Sequence, residues 1–302
     1  MNEKEINMIE FPSNLGLKKT DYAEEPGVKY LPDWLNKFGF HSKICPKNIF
    51  RIDPPEYSMT LDEKSGVRNA DKIVQYAKKQ CELLKDKFNE NFFQIILGGD
   101  CSILIGNCLA LKKIGEFGLF FLDGHTDYMW PELSQTGGVA GMDLAIVTGN
   151  GNDKLTNIDK LKPYIKEENT YCIGNRDFDE LYLKPMLESD IHYIDLNKLR
   201  EIGIKSVVND FLKMIDEKNL DGFFIHLDVD VLNDNIMPAV DSREKGGLTY
   251  PEITEILELL INNKKAFGIE ITILDPDLDP NGIYTKPFVE TITNIFDKKA
   301  CR

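Results

Sequence analysis

Acids and an imidazole recur at two-residue spacing in two places along the chain: Asp123, His125 and Asp127 within DGHTD, and Asp228 and Asp230 within HLDVDV. In extended backbone, residues i and i+2 project to the same side, so each set can converge on one point. Carboxylates crowded together near neutral pH repel one another and take up protons unless a cation neutralises them. An oxygen-rich set with one imidazole suits Mn²⁺, and less selectively Zn²⁺, Fe²⁺ or Co²⁺. Two such sets can hold a pair of ions bridged by a hydroxide. Either triplet alone is as readily a solvated turn or a cap. The metal reading rests on both of them lying at the ends of apolar runs, with a third turn, Gly98-Gly99-Asp100-Cys101-Ser102, in the same situation.

The elements that must position these groups alternate regularly from about Val67 onward. The runs FFQIIL, GLFFL, TYCI, IHYI, FFIHL and AFGI read as strands, and the stretches between them read as helices. Among the helices are 67–89, 100–114, a short one opening at Gly141 and closing at Gly149, DELYLKPMLES, and one near Phe288–Asp297. Continuously apolar strands interleaved with helices predict a parallel sheet covered on both faces. The fold class expected is therefore α/β: a single three-layer α/β/α domain over residues 1–302, with a mainly parallel central sheet. The first sixty residues, rich in Pro, Gly and charge, read as an ordered but irregular opening segment. In open parallel sheets ligands bind beyond the carboxyl ends of the strands. Asp100, Asp123, Asp177, Asp179, Asp228 and Glu270 all fall at or near such ends.

Composition narrows the partners. The 302 residues carry 36 Lys+Arg against 50 Asp+Glu, a formal charge of −14, which argues against nucleic acid or an anionic membrane as partner. No stretch approaches the ~18 apolar residues of a membrane span, and MNEKEINMIEF lacks the apolar core of a secretory signal. The six cysteines (Cys45, Cys81, Cys101, Cys108, Cys172, Cys301) form no CxxC pair and read as reduced thiols. A cytoplasmic protein with a small-molecule partner is expected.

Taken together, GGDCS, DGHTD and HLDVDVLND resemble the GGDHS, DAHTD and SFDVDxLDP motifs of the ureohydrolases, the arginase–agmatinase–formimidoylglutamase group. The stretch from Pro238-Ala239-Val240 to Gly246-Gly247-Leu248-Thr249 resembles that group's PA…GGLT loop, and Gly174–Asp179 its GLRDVD. The resemblance covers about residues 90–290. It implies an α/β/α fold, two Mn²⁺ ions, attack of metal-activated water on a guanidinium or amidine carbon, and a trimeric or hexameric homo-oligomer. Carried over, Asp123 and Asp228 bridge the ions, His125 and Asp230 complete one site, and Asp127 and Cys101 the other. Asp127 is also the implied proton acceptor. Asp179, with Asp177 beside it, matches an acid that contacts substrate; either could instead cap the following helix.

The departures concern one metal ligand and the substrate. Cys101 stands where the family's GGDHS has histidine. A thiolate is softer and favours Zn²⁺ or Fe²⁺ over Mn²⁺; if Cys101 does not bind, a single-ion enzyme is conceivable. His226, two residues before Asp228, is a candidate for metal support or proton transfer, against the plainer reading of a core histidine hydrogen-bonded to backbone. Ala140 replaces the family's HGM histidine. Met129 stands where arginases place a carboxylate-contacting Asn, and Ile273 where they place the guanidinium-holding glutamate. Glu270, three residues earlier, is the remaining acid on that strand and a candidate substrate contact. A guanidinium needs a carboxylate partner, so the expected substrate is a guanidino or amidino compound other than plain arginine. Two alternatives stand beside it: a mononuclear amide hydrolase or deacetylase-like enzyme, and a non-catalytic arginase-like protein.

Overall fold

The computed structural model describes residues 4–300, with side-chain surroundings for residues 4–296; Cys301 lies outside them. Eight strands form one sheet: β1 (Glu5–Glu10), β2 (Asn48–Arg51), β5 (Phe92–Leu97), β6 (Phe117–Leu122), β7 (Thr170–Ile173), β8 (His192–Ile194), β9 (Gly222–Asp228) and β10 (Ala266–Thr272). Their order is β2-β1-β5-β10-β9-β6-β7-β8, and every pairing within this sheet is parallel. A separate antiparallel pair, β3 (Leu61–Asp62) and β4 (Val67–Arg68), precedes the first long helix.

The helices are α1 (Leu31–Lys37), α2 (Phe40–Ile44), α3 (Ala70–Leu84), α4 (Ile103–Ile114), α5 (Asp143–Val147), α6 (Asp153–Thr156), α7 (Glu180–Leu187), α8 (Leu196–Ile202), α9 (Ile204–Glu217), α10 (Tyr250–Ile261) and α11 (Thr285–Ala300). One apolar layer joins α3, α4 and α5 to Ile96, Phe121 and Phe224 of the sheet. The other joins α1, α2, α9, α10 and α11 to the opposite face. The layers form because β6, β9 and β10 are buried along their whole length, while α3 buries a single stripe (Ile73, Tyr76, Ala77, Gln80, Leu84) at helical spacing. Helix α10 opens on a reciprocal capping box between Thr249 and Glu252, worth about 1 kcal/mol.

The opening segment differs from its irregular expectation. Residues 5–10 and 48–51 are parallel strands that extend the sheet, and α1 and α2 lie between them. Both strands carry polar residues, and β2 is largely exposed at the sheet edge, which hides it from an apolar-run criterion. A buried His41–Glu10 pair at 2.6 Å, joined by Arg51 at 3.2 Å, ties this edge together. Boundaries shift elsewhere too: α3 begins at Ala70 because 67–68 is taken by β4, and α4 begins at Ile103, after the Asp100–Ser102 turn. Among the described residues no helix is long and apolar enough to cross a membrane, and the five described cysteines are free.

Candidate functional site

Strands β5 and β6 are consecutive in sequence among the four central strands but are separated in space by β10 and β9. The crevice at their carboxyl ends is where such sheets bind ligands. A cavity of about 570 Å³ opens there, with Cys101, His125, Asp127, Asp228, Asp230 and Ile273 in its lining.

The acids converge, but not by strand alternation. Asp123 directly follows β6, and its Oδ1 accepts the His125 amide at 2.6 Å. Asp228 ends β9, and its Oδ1 accepts the Asp230 amide at 2.7 Å. Each carboxylate therefore folds the chain into a tight turn by accepting the amide two residues on. Asp230 Oδ1 then accepts the Gly124 amide at 2.9 Å, and Asp230 Oδ2 lies 2.9 Å from His125 Nδ1, joining the two turns. Asp127 is held at φ +43°, an uncommon left-handed conformation for a non-glycine residue.

Ligand atoms of Asp123, His125 and Asp230 lie within 4.8 Å of one another, as do those of Cys101, His226 and Asp228. Burial, with the charges of Asp230 and Asp123 behind it, pushes the Asp228 carboxyl well above its ordinary range. Burial and Asp123 do the same to Asp127. Asp230 goes the other way: burial opposes its charge, but His125 and the Gly124 amide outweigh burial and lower it. Burial disfavours charge on His125 as well, yet Asp230 and Asp123 carry its pKa well above the usual imidazole value. Burial, then Asp228, keeps the Cys101 thiol protonated, and it donates to Asp228 Oδ2 at 3.0 Å. Crowded acids with raised pKa values beside orphaned donor atoms fit a divalent cation. Asp123 Oδ2 and His226 Nε2 are buried without a hydrogen-bond partner.

The remaining expectations divide. Asp179 caps α7, accepting the Leu181 amide at 2.8 Å, while Asp177 lines the cavity. The capping role thus falls to the residue expected to meet substrate. Glu270 does not face the cavity. It is fully buried and bonded to His226 and to Asn107 of α4, because its place on β10 directs it into the α4 layer. His226 is not hydrogen-bonded to backbone through its ring. Ala140, Met129 and Ile273 all line the cavity, Ile273 at φ +75°, strained for a β-branched side chain. Arg243, at the rim, is held by Asp234 at 2.6 and 2.9 Å.

Three residues escaped the sequence reading. Arg176 donates to the carbonyls of Asp230 and Glu244 at 2.7 and 3.0 Å, pinning two site loops. Asn107 and Asp143 are fully buried polar residues. Their signal is a lone polar residue in an apolar stretch, ILIGNCLAL and GMDLAIV.

Comparison with known proteins fits this geometry. The model of the arginase family matches residues 43–296. The chain belongs to the arginase family. An arginase of Staphylococcus aureus is 28% identical over 296 residues, covering 97% of each chain. The native crystal structure of Bacillus caldovelox arginase superposes with a TM-score of 0.86 at 26% identity, covering 97% of this chain and 98% of that one. A formimidoylglutamase from Bacillus subtilis shares the fold, at a TM-score of 0.72 and 20% identity over 97% of this chain and 86% of its own. Membership of the arginase family makes the protein a metal-dependent hydrolase of non-peptide C–N bonds.

Proposed function

We propose that the protein hydrolyses a guanidino or amidino C–N bond in a small substrate other than plain arginine, using two divalent ions. The observation that carries the reading is a floor on which acids and His125 converge beside an apolar Ile273. Asp123 and Asp228, one in each of the two donor clusters, would help to hold the ions. His125 and Asp230 would hold one ion with Asp123, and Asp127 and Cys101, which both line the cavity, would serve the other. Divalent ions bound there lower the pKa of water enough to supply a nucleophile near neutral pH.

The chain's own residues do the rest. Asp127, buried in the cavity lining, is the group that would take up a proton during turnover and pass it to the leaving amine. Arg176 fixes the Asp230 backbone by donating to its carbonyl. Ile273 offers no carboxylate to a cationic guanidinium. The same residue favours a second reading, a neutral amide substrate. The oxygen-rich donors suit Mn²⁺ and the thiol suits Zn²⁺ or Fe²⁺. The accompanying expectation is a cytoplasmic homo-oligomer, to be checked by sedimentation.

A panel of guanidino, formimino and acetylated amines tests the reading, with urea, formamide and acetate as readouts. Metal-dependent urea or formamide release from a compound other than arginine supports it. Acetate as the sole product moves the assignment to the amide reading. A folded, metal-loaded protein inert on the whole panel overturns both.

A further inference from the structure

We infer that His226 is a direct metal ligand through Nε2, and that Glu270 positions it from behind; the inference rests on the metal-dependent reading above. The sheet register sets the arrangement. His226 of β9 pairs with Phe121 of β6 on one side and Glu270 of β10 on the other. Side chains in register on a parallel sheet share a face. The imidazole accordingly stacks on the Phe121 ring, with centroids 4.3 Å apart and planes 7° apart. Its Nδ1 lies 2.5 Å from Glu270 Oε1. The other Glu270 oxygen accepts Asn107 Nδ2 of α4, so the carboxylate is itself held.

Glu270 accepts from Asn107, which leaves it an acceptor for Nδ1–H as well. With Nδ1–H donated to Glu270, the Nε2 lone pair is left among Asp123, Cys101 and Asp228. Metal-bound histidines commonly give their second nitrogen to a carboxylate in this way, which orients the ring and raises its basicity. An orphaned ring nitrogen is not diagnostic alone, since His41 Nδ1 is buried and unpartnered too; what sets His226 apart is that its free nitrogen lies among candidate ligand atoms. Here Nε2 is completely buried and has no hydrogen-bond partner. It faces Asp123 Oδ2, also unpartnered, across 3.9 Å. That is too long for a hydrogen bond. Two donors each about 2.1 Å from one ion can lie up to about 4.2 Å apart, so the separation is admissible for a shared cation. Cys101 and Asp228 complete the set, with ligand atoms of all three residues within 4.8 Å of one another.

The imidazole that the resemblance would place in the GGD turn after β5, where Cys101 stands, is thus supplied from β9, two strands across the sheet. A nitrogen and a sulfur beside oxygen donors shift this position away from Mn²⁺ towards Zn²⁺, Fe²⁺ or Co²⁺.

The test uses the full chain, stripped of metal and reloaded with zinc. Zinc X-ray absorption should count two imidazoles per chain, from His125 and His226. The remaining histidines, His41 on α2 and His192 on β8, belong to neither cluster of candidate ligands, so neither is placed to contribute. His226→Ala should lower the count to one and weaken one of two zinc equivalents at least 100-fold by calorimetry. Glu270→Gln should keep both imidazoles and weaken the same equivalent about 10–100-fold. One imidazole in the wild-type protein, or two full-affinity equivalents in His226→Ala, overturns the assignment while leaving the metal-dependent reading intact. If His226→Ala does not fold, the wild-type imidazole count decides. A folded wild-type chain that binds no divalent ion overturns both readings together.

Discussion

Replacing Asp143 by asparagine should stabilise the metal-free protein. Asp143 opens α5, is fully buried, and accepts the Leu144 amide through Oδ1 at 2.8 Å, while Oδ2 has no hydrogen-bond partner. Burial, followed by the charges of Asp127, Asp123 and Glu270, pushes its carboxyl well above the ordinary 3.8. An unpaired buried polar atom costs about 1–3 kcal/mol. Asparagine has the same shape, carries no charge, and offers a donor towards the surrounding carboxylates. Unfolding entropy of about 2.1 cal/mol/K per residue gives roughly 0.6 kcal/mol/K for a chain of this length, so the gain corresponds to a Tm rise of about 2–5 °C. The pH dependence has a definite sign. An acid whose folded pKa is raised contributes its stability below the unfolded value and loses it as pH rises towards the folded value. Asp143→Asn and wild type should therefore melt together near pH 4 and separate progressively towards neutrality. Saturating divalent metal should narrow the gap by supplying counter-charge. Thermal melts of metal-free protein across that range are the assay. A neutral-pH Tm for Asp143→Asn at or below wild type, or a gap that does not change with pH, would refute the reasoning.

Gly124→Ala puts a Cβ 2.5 Å from Arg176 Nη1 and 2.8 Å from Asp230 Oδ1, displacing a carboxylate of the proposed metal centre. Divalent-ion affinity should fall about tenfold or more, read by calorimetry. Glu252 is held near pKa 2 chiefly by Arg200, at 2.8 and 3.0 Å. Its contribution is complete above about 4.5 and is lost as pH falls towards about 2, so Glu252→Gln should flatten the acid limb of stability across that window. Ile273→Glu places a carboxylate on the cavity floor. A charge-assisted hydrogen bond of about 1.5–3 kcal/mol predicts at least tenfold tighter binding of guanidinium compounds; unchanged affinity counts against the specificity argument.

Much of the architecture was legible because β5, β6, β9 and β10 are buried on both faces, so burial writes itself as unbroken apolar runs. Strands β1 and β2 were not legible: β2 is the exposed edge, and β1, though mostly buried, carries Asn7 and Glu10, whose partners Gln94, Asn48, His41 and Arg51 come from elsewhere in the chain. The convergence of Asp123, His125 and Asp230 was legible from spacing, although alternation was the wrong mechanism. Asp123 and Asp228 close their turns by accepting the amide two residues on, a contact that two-residue spacing serves equally well. Glu270 could not be placed from sequence, since its partner His226 is 44 residues away and only the β9–β10 register brings the two together. Asn107 and Asp143 carried a readable signal, a polar residue inside an apolar stretch, whose role depends on which layer faces the sheet.

The most direct test of a two-metal hydrolase is activity followed while metal is returned. Metal-free protein would be titrated with a divalent ion, and product release from the responsive member of the substrate panel recorded at each step. Turnover should rise with added metal and level off at two equivalents per chain. Activity that is present without metal, or a folded protein that stays inactive at every metal and stoichiometry, would contradict it.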